Sequence, residues 1–245
     1  MPLDGFLRMT KAFSKTQIDR LGDRLKKGEM SEADLQMLDE YRRSFAEAFG
    51  FLVRTIRKEL ALEPTGRPAK STSSICEKLR RESIRLTQIQ DIAGCRLIVP
   101  DIASQETIVQ SLKNLFEHTT IVDRRQQPSH GYRAVHVIVS CLDKVVEIQV
   151  RTSLQHLWAE LSERISDVLG PAIKYGGGDE SVREVLTGFS SSIITIESTQ
   201  ARLQNLEVQR ELISLKQRIS DKFRETIKLV EGLKRSKDKS NDISH

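Results

Sequence analysis

Glu147, Gln149 and Arg151 alternate with apolar residues in the segment KVVEIQVRT, at positions 144–152. Such alternation predicts a β-strand that carries these three polar side chains on one face and apolar side chains on the other. Burying an unpaired charge is expensive. The polar face is therefore either covered by solvent or one wall of a polar site.

Two further segments carry polar residues near predicted strands. Asp91 lies just before Gly94, which opens the predicted strand GCRLIVP, and an aspartate that caps a turn is its ordinary explanation. Tyr132 and His136 share a face of the predicted strand YRAVHVIVSC, and Gly131 before them would let a ligand approach the backbone. Taken singly, such a histidine is more often structural than catalytic, and such a tyrosine more often belongs to a core.

A third group is basic. Ser74, Lys78 and Arg81 recur at helical spacing after the loop residues Arg67 and Lys70, and alone they indicate a solvated basic helix face. Together with two carboxylates and an aromatic ring, however, they supply what nucleotide phosphate chemistry requires. Carboxylates hold Mg²⁺, cations neutralise phosphate oxygens, a ring stacks on a base and one carboxylate accepts a hydroxyl proton.

The composition is that of a helix-rich protein with an aliphatic core. The 245 residues are 38% hydrophobic, 30% charged and 5% aromatic, and the net charge of +5 is compatible with anionic ligands without being evidence for them. Cys76, Cys95 and Cys141 lack metal-binding spacing, which favours buried free thiols in a reducing cytosol. We expect a cytoplasmic protein, since neither a signal peptide nor an apolar run long enough to cross a membrane is found.

The elements that must position these residues follow from the periodicity. Helical patterns over 14–62 are interrupted at KKGEMSEAD, where Ser31 and Asp34 resemble a capping box, and ALEPTGRPAK is predicted to be a loop. Strands and helices then mix, which predicts an α/β core. The expected organisation is a helical region at 1–63, a core at 64–178, a helical region at 179–235 and a disordered tail at 236–245.

The last helical region has a near-heptad apolar stripe: Leu206, Leu212, Leu215, Ile219, Phe223, Ile227 and Val230. Two interpretations compete evenly. The stripe packs back on its own domain, or it forms a coiled-coil contact in a homo-oligomer.

Five blocks occur in the order and spacing of a known family: STSSICEKLRRE, QDIAGCRLIV, GYRAVHVIV, VEIQVRT and LQHLWAELSE. The chain resembles the RelA/SpoT-type alarmone synthetase domain over residues 12–198, in the form of its small single-domain members. The resemblance implies a nucleotidyltransferase-like mixed β-sheet flanked by helices, with a helical N-terminal lead-in and a long C-terminal helix. It also implies transfer of the β,γ-pyrophosphate of ATP to the 3′-hydroxyl of GDP or GTP, with Mg²⁺.

Carried over by motif, Asp91 resembles the Mg²⁺-binding aspartate, and Glu147 the glutamate that helps hold the metal and activates the acceptor hydroxyl. Tyr132 matches the tyrosine that stacks on the acceptor base, with His136 close behind, and Gln149 and Arg151 support the acceptor side. The segment that clasps ATP corresponds to Arg67, Lys70, Ser74, Lys78 and Arg81.

One departure concerns the acceptor. The segment DRRQQPSHGYR lacks the lysine that in the family helps hold the 5′ phosphates of the acceptor, and Arg124 and Arg125 are possible electrostatic substitutes. Alternatives are therefore a toxin that pyrophosphorylates the 3′ CCA end of tRNA and has an antitoxin partner, or a catalytically inactive nucleotide-binding module. No membrane partner is expected.

Overall fold

The structure is a computed structural model that describes residues 13–126, 128–202 and 206–242. The first twelve residues of the predicted N-terminal region, the side chain of Leu206 and the last three residues of the predicted tail lie outside this description. The chain divides into two compact units. The first holds the described residues up to Leu97 together with Phe116–Thr120 and Val137–Ile148, and the second holds Ile98–Leu115, Ile121–His136 and the chain from Gln149 onwards.

The described part of the first unit contains the α-helices α1 (Lys15–Lys27), α2 (Glu32–Arg43), α3 (Ala46–Leu60) and α4 (Thr72–Arg81). The predicted capping box at Ser31 and Asp34 is confirmed, and Ser14 begins α1 in the same way. Arg24 of α1 binds Asp34 at 2.6 Å, which ties α1 to the start of α2. Leu38 of α2 is buried, whereas Leu35 on the same helix is exposed.

Five strands form one mixed sheet in the order β1-β2-β5-β4-β3. They are β1 (Thr65–Arg67), β2 (Ala93–Val99), β3 (Thr119–Asp123), β4 (Val135–Cys141) and β5 (Lys144–Thr152). Leu142 and Asp143 join β4 to β5 with positive φ angles of 48° and 56°, as a two-residue hairpin requires. The predicted α/β class, a mixed sheet flanked by helices, is confirmed.

β1 corrects the prediction that ALEPTGRPAK is entirely loop. Its three residues pair antiparallel with β2, with Arg67 opposite Gly94. Gly66 makes the pairing possible, because a Cβ there would lie 2.5 Å from the Cα of Cys95.

The second unit contains α5 (Ile102–Leu115), α6 (Ser153–Leu169), α7 (Glu180–Arg202) and α8 (Leu206–Asp242). Phe223 and Ile227 of α8 are buried in one cluster with Trp158 and Leu161 of α6. Much of the stripe therefore packs on its own unit, although Leu215 is exposed. α8 continues to Asp242, into the segment predicted as a disordered tail. Among the described residues, no helix is both long and apolar enough to span a bilayer.

Candidate functional site

Asp91 is held between two lysines in the first unit. Its Oδ2 lies 2.5 Å from Nζ of Lys70, and its Oδ1 lies 2.9 Å from Nζ of Lys78. Burial alone would raise the pKa of Asp91, but the charges and hydrogen bonds of the two lysines outweigh it and lower the pKa to about 2. The carboxylate is therefore ionised at neutral pH, and these three residues, the Asp91 cluster, carry two positive charges and one negative charge.

The backbone explains why Lys70 reaches this position. The Lys70 N–H donates to the carbonyl of Ile92, and the Lys70 carbonyl accepts a hydrogen bond from Nε of Arg42, both at 2.6 Å. Lys78 is delivered by α4, which buries Ile75 and Leu79 on its opposite face. Lys70 and Lys78 thus reach Asp91 through a loop held by two hydrogen bonds to its backbone and through one amphipathic helix.

Glu147 lies next to Gly94 in the first unit. A Cβ at position 94 would lie 3.0 Å from the Glu147 carbonyl oxygen and 3.6 Å from its Cβ. Since Arg67 is opposite Gly94 on the other side, Arg67, Gly94 and Glu147 form one row across three strands, in which the glycine adds no side chain. Glu147 is only 8% exposed and Arg67 is exposed.

The remaining residues expected to contact ATP have local partners. Ser74 accepts a hydrogen bond at 2.7 Å from the hydroxyl of Ser71, which caps α4. Arg81 lies 2.8 Å from the carboxylate of Glu82, and both side chains are partly exposed. Ser74 thus takes part in the start of α4, while Arg81 lies at its end beside a carboxylate.

Tyr132, His136, Gln149 and Arg151, the Tyr132 cluster, come together in the second unit. The Tyr132 hydroxyl is 2.8 Å from Nε2 of His136. Nη2 of Arg151 donates to the Tyr132 hydroxyl at 3.2 Å and to Oε1 of Gln149 at 2.6 Å. Arg151 is 6% exposed, and its buried Nε has no hydrogen-bond partner among the described residues. Such a donor is costly to leave unsatisfied, so it is a candidate contact for a ligand oxygen or nitrogen.

Arg124 and Arg125 differ in their surroundings. Arg125 lies 2.6 Å from Asp123 and 2.8 Å from Glu106, and it also donates to Oε1 of Gln105. Its charge is therefore offset by two carboxylates. Arg124 is half-buried, and its backbone N–H donates to the carbonyl of Ala134.

The need for glycine at position 131 has a structural explanation other than the approach of a ligand. The φ of Gly131 is 89°, and a Cβ there would lie 2.8 Å from Cζ2 of Trp158. Sequence reasoning missed Arg133 and Ser190, which hold the same loop: Arg133 donates to the Arg125 carbonyl at 2.6 Å and to the Ser190 hydroxyl at 3.3 Å. Residue 190 lies 57 positions beyond residue 133, and no local signal links them.

The carboxylate oxygens of Asp91 and Glu147 suit Mg²⁺ that is also bound by a nucleotide substrate. Asp91 and Glu147 offer hard carboxylate oxygens, but within the described ranges no three His, Cys, Asp or Glu side chains group as a ligand set. Mg²⁺ is commonly held by one or two carboxylates together with water and substrate phosphates. The residues present therefore suit a metal that arrives with a nucleotide rather than one caged by protein.

Comparisons with known proteins match part of this chain to a described family. Residues 66–166 match the family described as "Region found in RelA / SpoT proteins". The uncharacterized protein Rv1366 of Mycobacterium tuberculosis is 38% identical over 124 residues, which are 49% of this chain and 44% of that protein. The chain thus spans less than half the length of this relative.

Two solved structures share the fold. Small alarmone synthetase 1 from Bacillus subtilis has a TM-score of 0.52 at 24% identity, covering 75% of this chain and 100% of that one, and it has also been solved bound to its product pppGpp. A GTP pyrophosphokinase family protein from Streptococcus pneumoniae has the same score and identity, with 75% and 98% covered. Over residues 66–166 this chain is therefore similar to the region found in RelA/SpoT proteins, and its fold is similar to that of the small alarmone synthetases.

Proposed function

We propose that this protein transfers the β,γ-pyrophosphate of ATP to the 3′-hydroxyl of GDP or GTP, producing a guanosine alarmone and AMP. ATP is the donor, and its phosphates are bound by Lys70 and Lys78 with Arg67, Ser74 and Arg81. Tyr132 stacks on the base of the acceptor. Mg²⁺, when bound through Asp91 and Glu147, neutralises phosphate oxygens.

The chemistry follows from the charges of these residues. The acceptor 3′-oxygen attacks the β-phosphorus, the bond from that phosphorus to the oxygen bridging it to the α-phosphorus breaks, and AMP leaves. Glu147 takes the proton of the attacking hydroxyl. Lysine ammonium groups offset the negative charge on the phosphate oxygens, and such displacements depend on positioning and charge neutralisation more than on covalent catalysis.

The observation that carries the proposal is the Asp91 cluster within a RelA/SpoT region. Two ammonium groups within 2.9 Å of one carboxylate leave a net positive charge at residues that are mostly buried. A triphosphate with its metal supplies the complementary arrangement: anionic oxygens for the lysines and a cation for the carboxylate. The Bacillus subtilis synthetase bound to pppGpp supports a guanine nucleotide as acceptor.

A second acceptor is favoured by Arg125. Because Asp123 and Glu106 offset its charge, this arginine is a weak replacement for the phosphate-binding lysine that the segment lacks. An acceptor without 5′ di- or triphosphate at that position, the 3′ CCA end of tRNA, is the second candidate. An antitoxin would then be the corresponding protein partner.

The test uses ATP labelled at the γ-phosphate, with Mg²⁺ and GDP, GTP or deacylated tRNA in parallel. We expect label to move into GDP or GTP, with one AMP formed per product. Label in tRNA alone would overturn the guanine acceptor in favour of the second candidate. If no AMP is formed with any of the three acceptors, the result would contradict transfer and favour an inactive nucleotide-binding module.

A further inference from the structure

The loop that carries Tyr132 rests on α7, a helix outside the family-matched residues 66–166. The Ser190 hydroxyl donates to the carbonyl of Gly131 at 2.7 Å and accepts from Nε of Arg133 at 3.3 Å. It therefore holds the residues immediately before and after Tyr132. Ser190 is 4% exposed, so water competes little for these bonds.

The backbone at Gly131 also packs closely against Ser190 and Trp158. A Cβ at Gly131 would lie 3.3 Å from Cβ of Ser190 and still closer to Trp158. Nε1 of Trp158 in turn donates to the carbonyl of Leu186 on α7 at 2.8 Å. The backbone of residue 131 thus lies against α6 and α7, which are themselves joined by a buried hydrogen bond.

The same helix holds the end of β5. Glu197 lies two turns after Ser190 and accepts hydrogen bonds from Oγ1 of Thr152 at 2.5 Å and from Nε2 of Gln155 at 3.1 Å. Thr152 directly follows Arg151, whose guanidinium contacts Tyr132. α7 therefore holds Tyr132 through the residues on either side of it, and it holds Arg151 through the next residue, Thr152.

From this double attachment we propose that α7 is part of the acceptor-binding structure, with Ser190 as the positioning residue for Tyr132. The inference rests on the proposed function, because it assigns Tyr132 to the acceptor base. Ser190 acts through the loop and takes no part in the chemical step. Removing its hydroxyl loosens Tyr132 and weakens acceptor binding, while ATP binding in the first unit is preserved.

The test compares Ser190→Ala with Ser192→Ala, using full-length protein. Ser192 is exposed on the same helix, and its hydroxyl donates only to the carbonyl of Gly188 among the described contacts. Loss of the Ser190 bonds is expected to raise the acceptor KM about five- to tenfold, with the KM for ATP and kcat nearly unchanged. Ser192→Ala is expected to match the wild type in all three constants.

Glu197→Gln is the second variant, since it keeps the side-chain volume while weakening the bonds to Thr152 and Gln155. It too is expected to raise the acceptor KM and spare the KM for ATP. If both variants keep the wild-type acceptor KM, or raise both KM values equally, the positioning role is wrong. A wild-type protein that transfers to no acceptor would instead contradict the proposed function itself.

Discussion

The guanidinium of Arg151 lies over the ring of Tyr132, with its Cζ 5.2 Å from the ring centroid. One of its nitrogens also donates to the Tyr132 hydroxyl. Arg151 thus restrains both the ring and the hydroxyl of Tyr132, the side chain that we propose to stack on the acceptor base. Together with Trp158 and His136, whose rings also lie near Tyr132, the guanidinium fixes the orientation of this ring.

Arg151→Lys is expected to raise the acceptor KM about tenfold and to spare the KM for ATP. A lysine ammonium lacks the planar fork that stacks on a ring and bridges two acceptors at once. Steady-state kinetics with each substrate varied in turn measure the effect. Arg164→Lys on the same unit, where the arginine is partly exposed and pairs with Glu231, is the matched control. An unchanged acceptor KM in the Arg151 variant would contradict the role.

Glu147→Gln is expected to fold normally and to lose transfer by several orders of magnitude, because the amide cannot take the proton of the attacking hydroxyl. AMP release measures the rate, and circular dichroism with thermal unfolding reports the fold. Glu163→Gln, at an exposed position of α6, should keep full activity. A Glu147 variant with near wild-type rate would show that the glutamate is not the base.

Asp91 makes stability depend on pH in the acid range. Its folded-state pKa of about 2 lies below the ordinary 3.8, so the ionised carboxylate stabilises the fold above pH 4. That stabilisation is lost as the pH falls through 2. Between pH 5 and 2 the wild type should therefore lose about 2 kcal/mol more free energy of unfolding than Asp91→Asn. Urea unfolding at several pH values measures the difference, and equal losses in the two proteins would contradict it.

Gly94→Ala tests the row of Arg67, Gly94 and Glu147. The added methyl would lie 3.0 Å from the Glu147 carbonyl oxygen, so β2 or β5 must shift and displace the carboxylate that we propose as the base. We expect transfer to fall roughly tenfold to a hundredfold, with a smaller effect on folding. Gly188→Ala is the control, since a Cβ there meets no atom within 4 Å. It should stabilise α7 by about 0.5–1 kcal/mol. Full activity of Gly94→Ala would show that this spacing is not needed.

Much of the fold was predictable because its signals are local. Ser31 and Asp34 begin α2 as their spacing predicts, and β5 follows the alternation of its residues. β1 was missed because three residues next to prolines offer too few alternations, and they form a strand only by pairing with β2.

The site was predictable to a smaller degree. The family resemblance pointed to Lys70, Lys78 and Asp91, and the structure brings these three together. The pairing of Arg125 with Glu106 and the bond of Ser190 to Gly131 join residues 19 and 59 positions apart. Such contacts arise only from tertiary packing, so no spacing along the sequence indicates them.

The burial of Phe223 at 1% exposure also bears on how assembly should be studied. Deleting α8 would remove Phe223 and expose its aromatic partner Phe189 on α7, since the two ring centroids are 4.7 Å apart. A change in light scattering of the truncated protein could then come from the newly exposed apolar surface as well as from the loss of a subunit contact. A single polar replacement at Leu229, which is 70% exposed, alters the outward face alone and is the cleaner probe of self-association.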